Sequence, residues 1–114
     1  MSRDTVRWPF GAADSQSKTF AATVTATISN SLTQLTIGQM TADATLNLTN
    51  SSELTVGDKL IIKTSADSHS GGWTLTFGTG IDGAALNITA SKSWIIEAHY
   101  DGSIFLVVSA KATN

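Results

Sequence analysis

Between Phe20 and Tyr100 apolar side chains recur at every second position in run after run, and nowhere at the spacing that would stripe one side of a helix. In an extended strand successive side chains point to opposite faces, so each such run buries one face and wets the other. Phe20, Ala22, Val24, Ala26 and Ile28 share one face of the first run, with Thr19, Thr23, Thr25 and Thr27 opposite. Ala44, Leu46 and Leu48 alternate with Thr45, Asn47 and Thr49, and Trp73, Leu75 and Phe77 with Thr74 and Thr76. Trp94, Ile96, Ala98 and Tyr100 alternate with Ile95, Glu97 and His99. Charged residues are only 14% of the chain, against about 25% in an average soluble domain, and 17 Thr and 14 Ser fill the polar positions instead. Hydroxyls in place of charges suit exposed sheet faces, where β-branched threonine packs well.

The remaining segments punctuate or extend this pattern. Leu32, Leu35 and Ile37 break parity once, as a β-bulge or a strand start near Thr33 would produce. Leu54 to Asp58 leads into a strand over Lys59 to Thr64, and Leu86 and Ile88 mark a short one. The stretches NSSE, SADSHSGG and GTGIDGA read as turns and loops. Asp101-Gly102 between two apolar runs is a strong hairpin signal, because a type I′ turn needs positive φ at both central residues. The last run, Ile104 to Ala110, is apolar on both parities, so both of its faces need cover.

Seven or eight short strands without helix predict an all-β fold: a single antiparallel β-sandwich, jelly-roll-like, over residues 19–114. Residues 1–18 have no period and hold Arg3, Arg7, Trp8 and the single proline, Pro9. They read as an extended N-terminal arm, whose Val6, Trp8 and Phe10 would be costly to leave wet unless docked on a neighbour.

At 114 residues the chain fits one domain. A net charge of −2 supplies no basic field for a phosphate backbone, which argues against nucleic acid as a partner. Without cysteine there is no disulfide framework, thiolate nucleophile or Cys-ligated zinc site. The N-terminus has no apolar stretch of signal-peptide length, and no window approaches the roughly 18 apolar residues of a membrane span. Synthesis as a soluble cytoplasmic protein is therefore expected. The sequons at Asn47, Asn50 and Asn87 read as Thr/Ser-rich sheet edges and turns.

Catalysis finds no candidate. Asp67-Ser68-His69-Ser70 has the residue types of a hydrolase triad, but consecutive turn residues cannot stack nucleophile, base and orienting acid into a relay. No nucleophile elbow, phosphate-binding loop or dinucleotide fingerprint occurs. Asp67 with His69, and Glu97 with His99, sit at i, i+2, which on a strand permits a shared metal; surface histidines are the simpler reading, and neither a metal nor a cofactor is expected. Trp73 and Trp94 share parity with aliphatic neighbours and read as core rather than as a sugar-stacking platform.

The order of residues in the second half adds a resemblance. The segments VGDKLIIKT, GGWTLTFGTG and KSWIIEAHYDGSIFLVV, preceded by Thr45-Leu46-Asn47-Leu48-Thr49 and a turn, resemble a small β-sandwich module of tailed-bacteriophage virion proteins. That module recurs in tail fibre, head fibre and capsid-decorating positions, and the resemblance covers roughly residues 20–114. Its anchors are Gly57-Asp58, Gly71-Gly72, Phe77-Gly78 and Tyr100-Asp101-Gly102. The resemblance implies a non-enzymatic homotrimer, assembled in the host cytoplasm into the virion, with the major capsid protein or other virion proteins as partners. Neither repeats nor a coiled-coil stalk are present, so an auxiliary capsid protein fits better than a long fibre. The arm departs from the module, and Val6, Arg7, Trp8, Pro9 and Phe10 are the expected shell-gripping residues. The alternative is a receptor- or carbohydrate-binding fibre or adhesin module, with specificity in SADSHSGG and GTGIDGA.

Overall fold

The structure, a computed structural model, describes residues 14–113. Ten strands follow one another: β1 (Asp14–Lys18), β2 (Thr23–Ile28), β3 (Leu32–Ile37), β4 (Ala44–Asn50), β5 (Lys59–Ser65), β6 (Trp73–Phe77), β7 (Ile81–Asp82), β8 (Leu86–Ile88), β9 (Ser93–Tyr100) and β10 (Phe105–Ala112). No helix occurs among the described residues. The strands form a six-stranded sheet, ordered β1-β3-β5-β9-β10-β7, and a four-stranded sheet, ordered β2-β4-β6-β8.

Up to β9 the chain changes sheet after every strand, and through β6 it returns to each sheet running the same way. β1, β3 and β5 are parallel neighbours, as are β2, β4 and β6. The path is that of a two-sided roll, and it corrects the antiparallel, jelly-roll-like expectation: a jelly roll is built from antiparallel Greek keys, whereas here antiparallel pairing is confined to β5–β9, β9–β10 and β6–β8. Short connections such as residues 29–31 carry the chain across the core instead of folding it back on the same sheet. Isolated parallel bridges join Met40 to Ala66 and Ala66 to Ala90, stacking the corners of the roll. The β9–β10 hairpin enters between β5 and β7 and ends the regular winding.

Alternation produces one shared core. Val24, Ala26 and Ile28 of β2, Leu46 and Leu48 of β4, and Leu75 and Phe77 of β6 face Leu35, Leu60, Ile62, Ile96 and Phe105 from the other sheet, all in one buried cluster. The parity break near Thr33 is no bulge: β3 starts at Leu32, and Thr33 takes an inward position with Leu35 and Ile37. The bulge lies in β10, where the register on β9 shifts between Val107 and Ser109. Phe105 and Val107 point inward while Leu106 and Val108 (53% exposed) point outward, which places apolar side chains on both parities, and the extra residue leaves Ser109 exposed as well before Ala110 turns inward again.

Residues 14–18, read from sequence as part of the arm, are strand β1, an edge strand paired with β3. Its inward positions are polar, Asp14, Gln16 and Lys18, so no apolar alternation marked it. The Gln16 side-chain amide donates to the Thr27 carbonyl at 2.8 Å, covering part of the free edge of β2. At the β9–β10 turn Gly102 has φ of +106°, but Asp101 does not have positive φ. A four-residue connection, Asp101 to Ile104, replaces the expected two-residue type I′ turn, with the Asp101 carboxylate accepting from the Ser103 and Ile104 amides at 2.9 Å each.

Two positions test the packing. The Thr33 hydroxyl is fully buried and has no hydrogen-bond partner among the described residues. Thr33→Val removes an unpaired polar group at nearly constant shape and is expected to raise stability by about 1 kcal/mol, read as a higher urea midpoint at unchanged slope. Gly80, at φ +78°, accepts from the Phe105 amide and the Asn50 side-chain amide, and a Cβ there would collide with the Leu48 carbonyl. Gly80→Ala is expected to cost about 2 kcal/mol, measured the same way.

Candidate interaction surfaces

The outward faces of the two sheets differ in chemistry. On the four-stranded sheet the register aligns Thr23 with Thr45 and Thr76, Thr25 with Asn47, and Thr27 with Thr49. This face is uncharged and hydroxyl-coated. On the six-stranded sheet the outward side chains form three rows across the strands. Lys59, His99, Leu106 and Asp82 make one, Ile61, Glu97 and Ser109 the next, and Lys63, Ile95 and Lys111 the third. Ile95 (43% exposed), Leu106 (38%) and Val108 all stay open to solvent here.

Within these rows Glu97 is the electrostatic centre. Its carboxylate lies 2.8 Å from the His99 Nε2 and 3.6 Å from the Lys59 ammonium. The His99 hydrogen bond, with Lys59 adding charge, holds the Glu97 carboxyl below the usual carboxylate range. The i, i+2 spacing thus places Glu97 and His99 on one face, as the strand reading implied, and there they bond to each other.

The second i, i+2 pair behaves differently. The Asp67 carboxylate accepts the His69 backbone amide at 3.0 Å and the Trp73 indole N–H at 2.8 Å, which hold its carboxyl below the usual range. The His69 ring stacks on Trp73, with centroids 4.0 Å apart and planes 13° from parallel. Asn87 donates to the Gly71 carbonyl at 2.8 Å and closes the same loop. This loop is ordered by its own hydrogen bonds, and no group of three or more His, Cys, Asp or Glu side chains placed to hold a metal occurs among the described residues. Trp73 and Trp94, both read as core, are half-buried at its margin; the Trp94 indole donates to the Thr89 hydroxyl at 3.1 Å.

No family model matches the chain, and no curated protein matches it.

The arm residues Val6, Arg7, Trp8, Pro9 and Phe10 lie outside the described residues. The structure adds surfaces that sequence reasoning did not assemble. Ile95, at the same parity as Ser93, Glu97 and His99 in β9, was a legible sign of an apolar residue on a wet face. The lysines around it carried no such sign, because strands β5 and β10 had no known neighbours.

Glu97 gives a pH signature. Its folded-state pKa is depressed, so its contribution to stability is present above the ordinary carboxylate range and is lost as pH falls through the lower folded value. Glu97→Gln is therefore expected to lower the urea midpoint at about pH 7, and the difference between the two proteins to shrink as pH falls below the ordinary carboxylate range.

Proposed function

We propose that the protein is a non-enzymatic structural protein of a tailed-bacteriophage virion, an auxiliary capsid protein that binds the shell as an oligomer, a homotrimer, and stabilises it. The observation that carries this reading is the outward face of the six-stranded sheet. There Ile95, Leu106 and Val108 are exposed on a rigid hydrogen-bonded surface rather than on mobile loops. Leaving such side chains wet forfeits roughly 25 cal/mol for each Å² that a partner would cover, and a preformed sheet pays little ordering entropy on binding. The resemblance of residues 20–114 to virion β-modules supplies the kind of assembly. Repetition over a shell lets modest contacts add by avidity.

In this reading the partners are other copies of the chain and the major capsid protein, and Val6, Arg7, Trp8, Pro9 and Phe10 grip the shell. The stacked His69–Trp73 pair, beside Asp67 and Asn87, favours a second reading as a receptor- or carbohydrate-binding fibre or adhesin module, because imidazole and indole rings at a loop surface suit sugar recognition.

Co-sedimentation with shells of the phage that encodes the chain is the direct test. The full-length protein is expected to pellet with shells, and Trp8→Ala with Phe10→Ala to weaken that association by about tenfold or more while the circular dichroism spectrum stays that of a β-protein. Absence of any association overturns the capsid reading, and selective binding on a glycan array would put the second in its place.

A further inference from the structure

Among the described residues the most exposed large apolar side chain is Val56, at 74%, on the connection between β4 and β5. It does not hang on a loose loop. Asp58 accepts from the Thr55 amide at 2.8 Å and from its hydroxyl, the Gly57 amide donates to the Tyr100 carbonyl at 2.9 Å, and Val56 lies against the β9–β10 turn near Gly102. Two tied connections thus form a knob that presents Val56, and the same two connections carry three carboxylates, Glu53, Asp58 and Asp101.

The third outward row of the six-stranded sheet has the complementary pattern. Lys63, Ile95 and Lys111 lie side by side across β5, β9 and β10, so an exposed isoleucine sits between two ammonium groups. Shallow clefts open on both sides of Ile95, one lined by Lys63, Ser93 and Thr113, the other by Glu97, Ser109 and Lys111. Among the described residues only Lys59 of the outward lysines pairs with a carboxylate.

We infer that the acidic Val56 knob of one copy docks on the Lys63–Ile95–Lys111 row of a second copy. The two surfaces lie toward opposite ends of β5, about 17 Å apart from Asp58 to Lys63 at the rise of a strand, and on a rigid sheet one chain cannot bring them together. The contact is therefore heterologous, using two different patches, and it closes into a ring when the rotation between copies permits. A two-fold packing with its axis through this row would instead set Lys63 and Lys111 against like charge. This inference rests on the oligomer in the function proposed above, and is independent of where on a virion that oligomer sits.

The test uses two full-length variants, Val56→Asp and the double variant Lys63→Glu/Lys111→Glu. All three substituted residues are exposed, so the thermal midpoints should stay close to that of the unsubstituted protein. Light scattering is expected to give an oligomer for the unsubstituted chain and a monomer for each variant alone, a loss of about tenfold or more in association. Mixed in equal amounts, the variants are expected to form a dimer and nothing larger, because one knob and one row remain intact between them. If both variants keep the parent mass, the surfaces are wrong although the oligomer stands. Monomeric variants that stay apart on mixing overturn the heterologous contact, and an unsubstituted chain that is monomeric up to millimolar concentration overturns the oligomer itself.

Discussion

One core is shared by both sheets, and the chain fills it by crossing from sheet to sheet. Each inward side chain of β2, β4 and β6 meets inward side chains of β3, β5, β9 and β10, so no sheet has a core of its own. A strand removed from either layer would leave the facing strand's apolar side wet, at roughly 1.5 to 3 kcal/mol for each large side chain. Through β6 the successive strands of each sheet run the same way, each reached by a crossing through the other sheet, whereas β8 and β9 run against their neighbours β6 and β5. Parallel pairing is usually found where both faces are covered. Here each sheet keeps one open face, because its crossovers are short links at the ends of the strands and not helices lying across them.

Those two open faces define what the molecule can present. One is a field of threonine and asparagine, in which the threonine side chains are stiff at χ1 and the Asn47 amide oxygen accepts from the Thr79 backbone amide. The other carries apolar residues among lysines, with Glu97 bonded to His99 and near Lys59. Leu106 and Val108, both outward on β10, add to the apolar content of the second face. The asymmetry gives the domain one polar side and one side on which a few apolar and charged groups are placed on stiff strands.

The knob at the other pole owes its shape to local turn chemistry. Asp58 and Asp101 each fold their own connection by accepting nearby backbone amides. Those bonds keep Asp101 ionised below the ordinary carboxylate range, with the Ile104 amide contributing most and the Ser103 amide next. The same interactions that close the turns therefore set fixed negative charge around Val56.

Much of the fold was legible in the residues. Period-two alternation marked β2, β4, β6 and β9, located the buried side of each, and excluded helix; the hydroxyl-rich composition foretold wet sheet faces. Other features were silent for identifiable reasons. β1 carries no apolar alternation because it is an edge strand with polar inward positions, and Ile81–Asp82 is too short to show a period at all. Strand direction was misread because a period of two reports which face is buried and is the same whether the neighbour runs parallel or antiparallel. The convergence of Lys63, Ile95 and Lys111 depends on which strands become neighbours and in what register. That was decided by the crossovers and by the insertion of the β9–β10 hairpin between β5 and β7. By itself the sequence determined strands, their dry sides and their coating, because these follow from local geometry; the tertiary structure alone decided direction, neighbours and the composite surfaces, because these follow from sharing one core.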